Sequence, residues 1–335
     1  MIRTKNEHIK LLKKVKIIIG NGFDLHCGLK TSYKDFFTTI NDVDEIKKMV
    51  VQSNLWDNES IYSRKSGTAY SRLMNLDIFT GKAFENFSIW TLYFVLSFPK
   101  SSEKRWCDIE EEMLHSFENN RGSDWNDMYI ISQRKEIFYN RPAKNIICAN
   151  YMKKNYGEQN QDEFYGNLLS QLEIFEKQFG EYVNSQIFIC GNYKDRANEF
   201  IESFSIPNEE IISIDSFNYS NLEYLHKNVL RNINGDIDAP IFGIDSSKIK
   251  ITNPAYIFTK TSRRLIQDTT KVNFDEIVDF QNVFIYGHSL NEQDYSYFFP
   301  IFDYLRLDDS SRSTNIIFAY SEYNSMHERY PYLLK

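Results

Sequence analysis

No Cys-x-x-Cys pair occurs in the 335 residues, and the four cysteines, Cys27, Cys107, Cys148 and Cys190, stand far apart. Scattered thiols without a secretory leader exclude a disulfide framework and read as reduced residues. No cluster of Cys and His has the spacing of metal ligands, and no metal is expected. Long apolar runs are missing too. The most apolar stretch, residues 89–98, falls far short of the roughly 20 residues that a membrane helix needs. It reads as a buried helix, and no membrane association is expected. Residues 1–14 are charged and run straight into a short apolar segment, without a signal peptide's h-region or cleavage site, so the expected location is cytoplasmic. A positive balance is also absent. The net charge is −7, and the Lys and Arg residues form no sustained stripe interleaved with aromatics. Affinity for nucleic acid rests largely on cations that neutralise phosphates, so DNA and RNA are disfavoured as partners, while a local pocket for a small phosphate stays compatible.

What is present is an ordinary globular composition, 42% hydrophobic and 25% charged, with 16% aromatic residues. A chain this long buries roughly three quarters of its unfolded surface and needs neither metal nor disulfide to hold a core. Residues 15–19 are a short β-branched run stopped by Gly20, the pattern of a buried strand. Ser32-Tyr33-Lys34-Asp35 resembles a capping box that opens a helix at about Tyr33. Residues 41–80 are polar and weakly organised. From about 84 to 185 the periodicity is helical, with Phe84, Phe87, Trp90, Thr91 and Phe94 on one face. Trp106, Ile109, Met113 and Leu114 form a second apolar face, and a third helix is expected over residues 164–183. The stretch 115–160 is Asn-rich and reads as mostly loop. Strand-like runs then return at 211–214, 240–244, 283–286 and 314–319, with a helix expected over 292–305.

Short apolar strands followed by helices imply a mostly parallel sheet covered on both faces. The expected fold is an α/β, Rossmann-like core formed by residues 1–40 and 205–335. Residues 41–204 are expected to form a large, mainly α-helical insertion or cap.

Three loops carry residues suited to a ligand. Gly20-Asn21-Gly22-Phe23-Asp24 follows the first strand, where missing side chains let backbone approach a phosphate at a helix start. A dinucleotide fingerprint would need a third Gly where Leu25 stands, and a Walker A loop would need Gly-Lys-Ser/Thr. The alternative is a tight turn in which Asn21 and Asp24 satisfy backbone groups. Ser216-Phe217-Asn218-Tyr219-Ser220 follows a second strand, with Asn218 on the edge where parallel sheets bind ligands. A cap for a helix near Leu222 explains Asn218 or Ser220 equally well. Gly287-His288-Ser289-Leu290 follows a third strand, with Asp294 further on. Gly287 and Ser289 offer donors to a ribose or phosphate, and His288 is a candidate general base, whereas Asn291 and Asp294 also fit a capping pair. In a parallel sheet these loops converge on one edge. The acidic run 110–112 reads as a solvated face, with Asp108 and Glu110 as the alternative groups to face that pocket from the insertion.

The stretch from Ile17 to Tyr33 resembles the opening motif of the AbiH family. Further resemblance lies in Trp106-x-Asp108-x-Glu110, Ser216-Phe217-Asn218-Tyr219, Phe242-Gly243-Ile244-Asp245 and Tyr286-Gly287-His288-Ser289-Leu290 with Asp294, in the same order. That resemblance implies bacterial phage defence by abortive infection. The strand–loop pattern is also similar to the sirtuin-like NAD-binding fold. That likeness implies NAD or a related nucleotide as cofactor or substrate, contacted by Gly20, Asn21, Gly22, Phe23, Asp24, Asn218, Tyr219, Asn234, Gly287, Ser289 and Asp294. It further implies that Asn218, Asp24 and His288 act in NAD cleavage through an oxocarbenium-like state. Asn234 stands where the sirtuin-like pattern has a basic His, and Asn takes no proton at neutral pH. His226 or His288 would have to substitute. The alternative is a non-catalytic nucleotide sensor whose insertion engages a phage or host protein as trigger. Self-association into a homo-oligomer is left open.

Overall fold

The computed structural model describes residues 12–40, 88–97, 107–118, 123–133, 142–204, 207–222, 230–266, 280–290, 292–305 and 314–319. Phe84, Phe87, Trp106, His226, Asn291 and the stretch 41–80 lie outside them. Five strands form one sheet: β1 (Lys13–Ile19), β2 (Glu209–Ser216), β3 (Leu230–Asn232), β4 (Asn282–Tyr286) and β5 (Asn315–Ala319). Their order is β3-β2-β1-β4-β5, and every pairing is parallel. The order reverses between β1 and β4, so the loops after these two strands sit at a topological switch point.

Apolar residues cover both faces of the sheet, as a parallel sheet requires. Val15, Ile17 and Ile19 pack with Phe23 of α1 (Asn21–His26) and with Tyr193, Ala197 and Ile201 of α8 (Tyr193–Glu202). On the other face Ile18, Val283 and Ile285 pack with Tyr297, Phe298 and Ile301 of α10 (Tyr295–Leu305). The α/β architecture expected from the pattern is therefore present. Helix α8, within the span 41–204, lies on the sheet.

The remaining helices are α2 (Tyr33–Thr39), α3 (Ile89–Ser97), α4 (Cys107–Glu118), α5 (Asp124–Gln133), α6 (Ala143–Tyr156), α7 (Gln161–Ile189) and α9 (Lys260–Ile266). The Ser32 hydroxyl accepts from the Asp35 amide at 3.1 Å, so α2 starts where its cap predicts. Helix α7 outruns its expected bounds at both ends. A reciprocal cap between Asn160 and Glu163 opens it two residues before Glu163's own position. Helix α3 is buried on every side from Ile89 to Leu96, because α6 and α7 pack around it, and not on the single face its periodicity suggests.

Two expectations fail. The stretch 115–160 holds α5 and α6; their polar faces mask buried Trp125, Met128, Ile146, Ile147 and Met152 at helical spacing. Residues 240–244 are buried and apolar but do not join the sheet. Among described residues Ile244 makes only an isolated bridge to Thr259. The backbone amides of this run find other acceptors: Ile241 N donates to the Asn234 carbonyl at 2.8 Å, and Phe242 N to Glu176 Oε1 at 2.9 Å. Phe242 and Ile244 join Tyr33, Phe36 and Tyr219 in one aromatic core cluster with residues of α3 to α7.

Candidate functional site

The three ligand-suited loops meet at the carboxyl edge of the sheet. Gly20 N and Gly22 N donate to the carbonyls of Tyr286 and Gly287, at 3.0 and 2.9 Å. The contact is tight enough to demand glycine. A Cβ on Gly22 would lie 2.6 Å from Gly287 Cα, and one on Gly287, where φ is +65°, would lie 2.5 Å from Phe23 N. These glycines bring two loops together, and the Gly20 and Gly22 amides are engaged with the neighbouring loop. The β2 loop joins them through Phe217, whose ring meets the His288 imidazole edge-on with centroids 4.3 Å apart.

Asp24 lies under this junction, almost wholly buried. Its Oδ1 accepts from Tyr193 Oη at 2.6 Å and from Ser220 Oγ at 3.0 Å. Burial pushes its carboxyl up to about 6, against the opposing pull of bonds from Tyr193 and Ser220. A buried acid poised near neutrality is a feature of catalytic and binding sites. Beside it stands Asn218, 3% exposed. The Asn218 amide acts on the carboxyl as a hydrogen-bonding neighbour that favours its charged form, yet neither its nitrogen nor its oxygen completes a hydrogen bond of good geometry among the described residues. Leaving a buried polar group unpaired costs about 1–3 kcal/mol, so such a side chain calls for an explanation, a bound ligand among them.

A second polar group adjoins the first. Lys260 Nζ lies 2.9 Å from Glu110 Oε2 and 2.7 Å from Asp294 Oδ1; Lys260 and Glu110 are buried, and Asp294 is partly so. Asp294 Oδ2 in turn lies 3.5 Å from His288 Nε2. His288 Nδ1 accepts from the Leu290 amide at 2.9 Å, which puts the ring proton on Nε2, facing Asp294. Burial drives the His288 pKa down to about 4, so the ring is neutral at physiological pH. Burial also raises Glu110, to about 7, although Lys260 opposes the shift. For Asp294 burial acts upward, but Lys260, His288 and Arg264 together hold it below its usual value.

A family model for bacteriophage abortive infection AbiH matches residues 17–316. The chain belongs to the AbiH family. No curated protein matches it, and no solved structure does. Among the described residues of this AbiH protein no helix is long and apolar enough to cross a membrane.

The expected site residues of the AbiH chain divide in two. Gly20, Gly22, Asp24, Asn218, Gly287 and His288 come together. Asn234 joins them at the rim: its Nδ2 donates to the Phe217 carbonyl at 3.3 Å, and its Oδ1 accepts from Arg264 at 3.4 Å. Asp294 faces the cluster through Lys260 and His288. The others turn elsewhere. Phe23 is buried in the sheet core, and Asn21 Oδ1 accepts from Thr31 at 2.6 Å. Tyr219 stacks on Phe242 at 5.0 Å and donates to the Ile241 carbonyl, while Ser289 is exposed. Sequence reasoning missed Tyr193 and Lys260, which belong to no motif and reach the site only through the fold. It had noticed Ser220, as a helix cap.

Proposed function

We propose that this abortive-infection protein binds a nucleotide-type ligand, NAD or a close relative, at the carboxyl edge of its sheet. The observation that carries this reading is the buried amide of Asn218 beside Asp24, whose interaction with that carboxyl falls short of a well-formed hydrogen bond and whose Oδ1 meets no donor among the described residues. An amide supplies both donor and acceptor, and a carboxyl poised near neutrality supplies or takes a proton; together they suit the hydroxyls and ring atoms of a nucleoside. The switch-point position adds support, because parallel sheets receive ligands there. The engaged amides of Gly20 and Gly22 leave the nucleoside end of the ligand, not its phosphates, as the part these residues hold.

The finer reading is cleavage of the ligand's N-glycosidic bond, which in an infected cell would exhaust NAD. Asp24 would then take the proton of an attacking water that Asn218 orients, and fixed dipoles at the edge would stabilise the oxocarbenium-like state. One observation favours binding without turnover instead. His288 is neutral with Nδ1 already accepting from Leu290, and Asn234 takes no proton, so among the described site residues Asp24 is left as the base. In that second reading the protein is a sensor whose insertion meets a phage or host trigger.

Purified protein incubated with NAD, with and without lysate of infected cells, separates the readings. Nicotinamide release that is lost in Asn218→Ala and Asp24→Asn supports cleavage. NAD-dependent thermal stabilisation without release supports the sensor. If mass spectrometry finds no retained nucleotide and NAD moves neither signal, the nucleotide reading is wrong.

A further inference from the structure

Two carboxylates from the helical insertion reach into the core in the same way. Glu176 of α7 accepts from Phe242 N through one oxygen and pairs with Arg263 of α9 through the other. Glu110 of α4 faces the next amide, Gly243 N, at 3.5 Å, and pairs with Lys260 of α9 through its other oxygen. Arg263 and Lys260 stand three residues apart on one face of α9. Each clamp therefore ties one helix, α7 or α4, to the run 240–244 and to α9.

What lies beyond each cation differs. Arg263 continues to Glu173, which is back on α7. Lys260 continues to Asp294, Asp294 to His288, and the backbone next to His288 accepts the Gly22 amide two residues from Asp24. The first clamp closes on the insertion. The second runs from the insertion to the edge that holds Asp24 and Asn218.

We propose that Glu110 and Lys260 are positioning residues through which the helical insertion sets the His288 loop against the Gly20–Asp24 turn, so that displacing α4 reshapes the carboxyl-edge pocket. This rests on the reading of that edge as the ligand site. Lys260 is buried between two carboxylates. Withdrawing Glu110 leaves it Asp294 as its single counter-charge, so Lys260 is drawn toward Asp294 and the pair resettles together. A trigger bound to the insertion would thereby act on the pocket without touching it.

The test compares Glu110→Gln with Glu176→Gln by histidine-selective NMR and amide hydrogen exchange, both without nucleotide. In E110Q the His288 ring signals should move and the Gly22 amide should exchange about tenfold faster, while E176Q leaves both within about twofold of wild type. Equal changes in the two variants would mean general loosening and would overturn the proposal, as would an unmoved His288 in E110Q. Should E110Q fail to fold, Glu110→Asp keeps the charge and shortens the reach; it should move the same signals less, and no movement would again overturn the proposal. A parallel NAD titration keeps the two ideas apart. Absence of NAD binding sinks the nucleotide reading and leaves the exchange result standing.

Discussion

The amino and carboxyl ends of the sheet carry similar side chains and treat them differently. At the amino end Asn282 Nδ2 donates to Glu209 Oε1 at 2.6 Å, and Asn282 Oδ1 accepts from Asn315 at 2.9 Å. Gln281 Oε1 beside them accepts from Lys14 N at 2.7 Å. These amides form a ladder across strand starts. At the carboxyl end Asn218 is as buried as Asn282 but completes no well-formed hydrogen bond among the described residues, and Asp24 is a carboxyl whose charged form burial disfavours. One end uses its polar groups to fix strand register. The other holds polar groups at a cost in stability, which is how sites kept for ligands behave.

Breaking the contact that builds the carboxyl edge should have the largest effect. Gly287→Ala puts a methyl against Phe23 N in a backbone conformation that disfavours it, and about 3 kcal/mol or more should be lost by urea denaturation. An unchanged midpoint would mean that the two loops do not rest on one another.

Asp24→Asn should instead stabilise. The folded-state pKa of Asp24 is about 6, above the ordinary carboxyl value of 3.8, so the native protein bears the cost of its charge above pH 6. The variant should gain about 2 kcal/mol at pH 8, and the gain should shrink as pH falls from 6 toward 4 and the wild-type carboxyl takes its proton. A loss of stability at pH 8 would make Asp24 a structural residue.

The two amides sharpen the comparison further. Asn282→Ala should cost about 1–2 kcal/mol, because it strands partners on both sides. Asn218→Ala should change stability by less than about 1 kcal/mol, because only a weak contact with Asp24 is lost and a poorly satisfied buried amide is removed. Equal losses in the two variants would erase the difference between the two edges.

Much of this arrangement is legible in the sequence because it is local. β1, β2, β4 and β5 appear as β-branched runs, and Ser32 announces α2. The parallel order follows from strands alternating with helices, which is why three loops could be expected on one edge. The run 240–244 misleads, since an apolar β-branched segment looks the same whether its amides meet a neighbouring strand or a carboxylate. Its actual acceptors, Glu176 and Glu110, lie 66 and 133 residues away from the amides they face. Tyr193 is similarly remote, 169 residues from the Asp24 carboxyl it bonds. Glu176, Tyr193 and Lys260 leave no trace in spacing because only the packed fold brings their sequence-distant partners within reach. The short helices α5 and α6 stay hidden because a polar outer face dilutes their few buried residues.

Calorimetric titration of NAD into wild-type protein and Asn218→Ala tests the central claim most directly. The account predicts saturable binding to the wild type and about tenfold weaker binding to the variant, the loss of roughly 1.4 kcal/mol expected from hydrogen bonds that only the ligand completes. Equal affinity in the two proteins, or no binding to either, would contradict it.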